Sequence, residues 1–147
     1  MPKIEIAATG AEPTGEMPPE YVAAARGRVI RNLTAAGGLG DFIATHAIIP
    51  PGGWSAQRHW HEGEDELVVV VAGQGKLVDD AGAHPVGPGD VAAFPKGDGN
   101  AHHFVNDGTA PLVLVAISLR EASPVHYPDI GKRWVPGGGV HDEHQDD

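Results

Sequence analysis

Apolar and polar residues alternate along this chain in short stretches instead of recurring at helical spacing. Phe42 to Ile49, Gln57 to His61, Glu66 to Ala72, Gly75 to Asp79, Val91 to Phe94, His102 to Asn106 and Leu112 to Leu119 read as strands, with shorter ones at Val29 to Leu33 and Ala83 to Val86. Ile4 to Ala8 alternates with charge and reads as an edge strand. Turn residues separate the stretches, as in Asp80-Ala81-Gly82 and Gly87-Pro88-Gly89-Asp90. Pro19 to Arg26 opens with Pro and Glu and reads as the one short helix. With no helical crossovers, the pattern predicts an all-β sandwich or barrel. An arm with the edge strand and helix occupies residues 1–35, the β body residues 36–130, and a polar, glycine-rich, mobile tail residues 131–147.

One strand breaks the alternation. Leu67 to Ala72 is apolar on both faces, so one face packs inward and the other needs a cover. The cover is either the N-terminal segment or a second subunit, and the expectation is a homodimer.

Composition narrows the class. At 147 residues the chain holds one domain with enough core to fold unaided. Its 13 Pro and 21 Gly suit short strands joined by turns better than a helical bundle. There are no cysteines, which excludes disulfides and thiolate ligands. Ten basic against twenty acidic residues argue against nucleic acid, because phosphate neutralisation needs clustered Lys and Arg. Arg26, Arg28 and Arg31 come close together and read as a solvated face beside the helix. No apolar stretch approaches a membrane span and no basic-plus-apolar leader opens the chain, so a cytoplasmic protein is expected.

The chemistry concentrates in His59-Trp60-His61-Glu62-Gly63-Glu64-Asp65-Glu66. Residues i and i+2 of a strand share a face, so His59 and His61 project together. A turn over Gly63 lets Glu66, at the start of the next strand, come level with them. Two imidazoles and a carboxylate form a partial shell for a divalent first-row metal. Glu62, Glu64 and Asp65 read as a solvated turn. Glycines bracket the run as G-x5-H-x-H-x4-E-x6-G from Gly53 to Gly73. A second block reads G-x5-P-x-G-x4-H-x3-N from Gly89 to Asn106.

These two blocks resemble the signature motifs of the cupin superfamily, and the chain is similar to small single-domain bacterial cupins over most of residues 40–130. The resemblance implies a cupin barrel (a double-stranded β-helix, or jelly roll) in which His59, His61, Glu66 and His102 bind one divalent transition metal. Mn, Fe, Ni, Cu and Zn are not distinguished by this donor set. Four residues separate Gly97 from His102 where the general pattern has two, which leaves the fourth ligand open between His102 and His103. The His-x3-Asn ending and strand alternation favour His102, with His103 facing outward.

Around the metal, alternation puts Gln57 on the histidine face and gives Phe104 and Asn106 to the opposite wall of a substrate pocket. Arg58 and Trp60 point away. His46 is either cavity-facing or structural, and His84 and His126 read as turn or surface residues. His141 and His144 have ligand-like spacing but fall in the tail. A metal with open positions suits either Lewis-acid isomerase or lyase chemistry on a carbonyl compound, or dioxygenase chemistry on a diol. The alternatives are a non-catalytic barrel that binds or senses a small molecule, and a structural barrel with a vestigial site.

Overall fold

The computed structural model describes residues 2–12, 19–120 and 122–143. Twelve strands dominate them. They are β1 (Val29–Asn32), β2 (Phe42–Ile49), β3 (Trp60–His61), β4 (Glu66–Ala72), β5 (Gly75–Asp79), β6 (Gly82–Val86), β7 (Val91–Phe94), β8 (His103–Val105), β9 (Leu112–Leu119), β10 (Val125–Tyr127), β11 (Lys132–Val135) and β12 (Gly139–Asp142). Two short helices are α1 (Pro19–Ala24) and α2 (Leu33–Gly37). No helix among the described residues is long and apolar enough to cross a membrane.

The strands form three antiparallel sheets: β1-β2-β9-β4-β7, β6-β5-β8 and β12-β11-β10-β3. The first carries the long pairings, with β9 between β2 and β4 in register Ala44↔Ile117 and Leu67↔Ile117. Its inward residues Ile49, Val68, Val70, Phe94, Leu112 and Leu114 meet Phe104 of β8 in one buried cluster. This is the all-β barrel architecture the strand pattern predicts, and the site sits at one end of that core.

The strands whose alternation is unbroken form over the stretches expected of them. Elsewhere the fold departs from the sequence reading. Ile4 to Ala8 is not a strand; Ile6–Ala8 is a 3-10 turn held by Ala8 N–H donating to the Glu5 carbonyl. A second helix, α2, follows β1 directly, capped by Asn32, whose side chain accepts from the Ala35 N–H. Residues 132–142, expected in a mobile tail, are a hairpin paired with β10, where Val125 opposes Trp134. An ion pair between Lys132 and Asp142 joins its strands. A polar composition misled here because a hairpin laid against a sheet edge needs only backbone partners and one covered face. His144 lies outside the described residues.

Candidate functional site

Three segments bring the histidines and the acid together. Residues 54–59 run alongside β8: Ser55 N–H donates to the Phe104 carbonyl, and His59 and His102 exchange backbone hydrogen bonds of 3.0 and 2.8 Å. β3 carries His61, and β4 begins at Glu66. One donor atom each from His59, His61 and Glu66 lies within 4.8 Å of the others. His102 joins this group through Glu66, with its Nε2 2.8 Å from Oε1; His61 Nε2 is 3.8 Å from Oε2. Stacking on Phe94, at 3.5 Å between ring centroids, orients the His102 ring. His103 points elsewhere.

Hydrogen bonds set the tautomers. His59 Nδ1 lies 2.7 Å from the Gln57 carbonyl, which can only accept, so Nδ1 holds the proton and Nε2 keeps its lone pair. Burial, chiefly, depresses the His59 pKa to about 3, with the neighbouring imidazoles adding to the effect, so the ring is neutral at pH 7. Burial also opposes the charged form of His61, but the hydrogen bond it donates to Glu64 and the charges of Glu66 and Glu64 carry its pKa upward. For Glu66, burial works against ionisation; the His102 hydrogen bond and the surrounding imidazoles outweigh it and hold the pKa down to about 2. The carboxylate is therefore ionised beside a neutral imidazole.

Does this donor set fit a metal? Two ligands bound cis to one first-row ion at ~2.1 Å lie roughly 3 Å apart. The 2.8 and 3.8 Å separations to Glu66 are of that order. His61 Nε2, the nitrogen turned toward Glu66, is buried without a hydrogen-bond partner among the described residues. Left that way, buried polar atoms cost stability. The residues fit.

The donors open into a cavity of about 280 Å³ inside the barrel. Phe104, Val68, Leu114 and Val125 wall it, and Tyr21, Arg28, Thr45 and Tyr127 add polar groups. A larger hollow of about 510 Å³ lies outside the first sheet, between Phe42, Leu67, Phe94 and Leu119, and holds no imidazole.

Of the expected pocket residues, Phe104 lines the cavity and two do not. Residues 55–58 are bends rather than strand, so alternation fails there. Ser55 and Ala56 face the cavity instead, while the Gln57 side chain lines an outer cleft with Trp54 and Glu20. Gln57 reaches the site only through its carbonyl. Asn106 is fully buried and serves the backbone: Nδ2 donates to the Ile49 and Ala110 carbonyls, and Oδ1 accepts from the Gly108 N–H. His103 faces away from the donors as expected, but into the protein. It is 5% exposed, its Nδ1 donates to the Ala56 carbonyl, and Trp54 packs on it edge-on.

Other corrections concern charged residues. Glu64 is no solvated turn residue; its carboxylate lies 2.9 Å from His61 Nδ1 and orients that ring. His126 is buried, stacked on Trp60, with one ring nitrogen on Glu62 and the other on Glu143. Arg58 ties Asp80 and Asp129 together and donates to the Ala101 carbonyl. Arg28, Tyr21 and Tyr127 were not anticipated at the site. For Tyr127 the alternation of Val125-His126-Tyr127 was a usable signal; for Arg28 the sequence held none.

The family model described as the cupin domain matches residues 45–118. A sugar phosphate isomerase from Silicibacter pomeroyi is similar in structure, with a TM-score of 0.89 and 35% identity over 98% of this chain and 94% of that one. A second structure, of a putative sugar phosphate isomerase from Acidithiobacillus ferrooxidans, gives 0.76 and 34% over 82% and 79%. Among curated sequences, the oxalate-binding protein of Thermotoga maritima is 33% identical over 71 residues; these are 48% of this chain and 56% of that protein, so the chain spans about half of the curated relative it matches. The chain belongs to the cupin superfamily.

Proposed function

We propose that this cupin is a metal-dependent isomerase acting on a small hydroxycarbonyl compound, with His59, His61, Glu66 and His102 holding one divalent transition metal. The observation that carries the reading is the convergence of His59, His61 and Glu66 donors on one cavity, with the His59 tautomer set so that Nε2 is free to ligate. The resemblance to two proteins named as sugar phosphate isomerases supports the reaction class. A bound divalent ion would supply Lewis acidity, polarising a carbonyl and easing loss of the neighbouring C–H proton.

The chain's own residues do the rest. Gln57, through its carbonyl, and Glu64 hold two imidazoles in their ligating orientations. Phe104, Val68 and Leu114 exclude water from the cavity and so strengthen each polar contact in it. Burial raises the Tyr127 pKa above its ordinary value, with the nearby Tyr21 adding to the rise, which keeps the phenol a neutral hydrogen-bond donor facing the cavity. At about 280 Å³ the space lies just below the usual span of ligand sites, about 300–1,000 Å³, and suits a small molecule.

A second reading, a non-catalytic binding barrel, draws support from one observation. Glu66 is the sole carboxylate lining the cavity among the described residues, and as a ligand it leaves no separate acid to act as base. Incubating metal-loaded protein with small aldoses and ketoses in D₂O separates the two. The isomerase reading expects deuterium at the carbon beside the carbonyl, abolished in His61→Ala. Saturable binding with no exchange in any compound would sink it and favour the binding barrel.

The molecule is further proposed to be a homodimer through the outer face of the first sheet. Val91, Val71, Leu119, Phe42 and Leu67 there are 38–59% exposed. In a chain of net charge −10, an apolar patch on the sheet is where a second copy meets least repulsion.

A further inference from the structure

Arg28 is the only cationic side chain lining the cavity among the described residues. It follows Gly27, whose positive φ of 80° turns the chain between α1 and β1. Its guanidinium is tethered at two points: Nη1 donates to the Ser55 carbonyl, and Nη2 donates to the Tyr21 hydroxyl at 3.0 Å. Its carbon sits 5.4 Å from the Tyr21 ring centroid, and Tyr21 packs edge-on against Tyr127. These contacts hold the head group in one orientation.

Missing from this arrangement is a counter-charge. Twenty acidic residues face ten basic ones in this chain, and Arg58 alone ion-pairs with two carboxylates. Yet no carboxylate among the described residues lies within ion-pair distance of Arg28. A guanidinium offers five N–H donors in a planar fork, and neither the Ser55 carbonyl nor the Tyr21 hydroxyl is an anion. A half-buried, pre-oriented cation without a carboxylate is suited to an anion that arrives from solution. If Arg28 only fastened α1 to the barrel, its two neutral contacts would suffice and a cavity-facing charge would be a cost.

We propose that Arg28, steadied by Tyr21 and Ser55, is the specificity residue that binds an oxyanion, phosphate or carboxylate, borne by the small molecule whose other end meets His59, His61 and Glu66. The second half of that statement rests on the metal-site reading. The anion site itself does not, and metal-free protein tests it separately.

In chelator-treated protein at constant ionic strength, phenylglyoxal labelling of each arginine is followed by peptide mass spectrometry, with and without inorganic phosphate or acetate. Phosphate, acetate or both should slow modification of Arg28 at least fivefold while leaving exposed Arg26 unchanged. Protection by phosphate alone identifies a phosphate ester as the substrate group; protection by acetate alone identifies a carboxylic acid. Thermal melts give the second readout: the half-saturating concentration of the protecting anion should rise at least tenfold in Arg28→Gln and less in Arg28→Lys. Equal labelling of Arg28 with and without both anions would overturn the proposal, as would unchanged half-saturation in a folded Arg28→Gln. Should that variant not fold, the labelling of wild-type protein decides. Loss of metal binding with intact protection would refute the metal reading and leave the anion site standing.

Discussion

His59 and Asn106 both sit where strand alternation points them inward, yet they do opposite things. The difference lies in which atoms their polar groups meet. His59 uses one nitrogen on a carbonyl and leaves the other for the cavity. Asn106 uses its whole amide on the 49–53 and 107–111 backbone. Asn106→Ala should therefore cost about 2–3 kcal/mol in urea unfolding, through stranded buried carbonyls, while metal content at saturating metal stays unchanged. Acid acts on His59 in a defined direction. Its folded pKa of about 3 lies below its ordinary value of 6.5, so between those values the unfolded chain binds a proton that the folded one refuses. Stability of the metal-free protein must then fall as pH drops from about 6.5 to 4.5, above the range where Glu66 contributes. The slope should be on the order of 1 kcal/mol per pH unit, reinforced by the depressed His46 and His103 and visibly flatter in His59→Gln.

At the scale of elements, β2, β5, β7 and β9 were legible from apolar alternation and β4 from its continuous apolar run, each between glycine-bearing turns. What escaped was set by tertiary contact. β10 is three residues long and β11–β12 is polar, so neither carries a pattern that outweighs a loop. The bends at 55–58 moved the Gln57 side chain off the site. The spacing of His59, His61 and Glu66 was readable because they lie within eight consecutive residues, and His102 pairs with His59 through a backbone bridge. Arg28 and Tyr127 come from opposite ends of the chain, and only folding brings them to one cavity. The turn after β4 shows how tight the frame is. Gly73 has φ of +83°, and a Cβ there would lie 2.2 Å from the Pro111 carbonyl oxygen. Gly73→Ala should destabilise by about 3 kcal/mol or more in chemical denaturation, since both backbone and neighbour must shift.

For the whole molecule, the apolar outer sheet and the metal cavity lie on opposite faces of β4, so assembly and chemistry can be tested apart. Light scattering on the eluting protein should give a particle of twice the 15.3 kDa chain mass, and Val71→Asp should return it to one chain with its metal content intact. A wild-type particle of one chain mass would remove the dimer. The central claim is that His59, His61, Glu66 and His102 hold a metal. Elemental analysis of protein purified without a polyhistidine tag and re-equilibrated with divalent ions tests it most directly. The account predicts close to one first-row metal ion per chain in the wild type and near none in a folded His61→Ala. Near-zero metal in the wild type, or equal metal in the two, would contradict it.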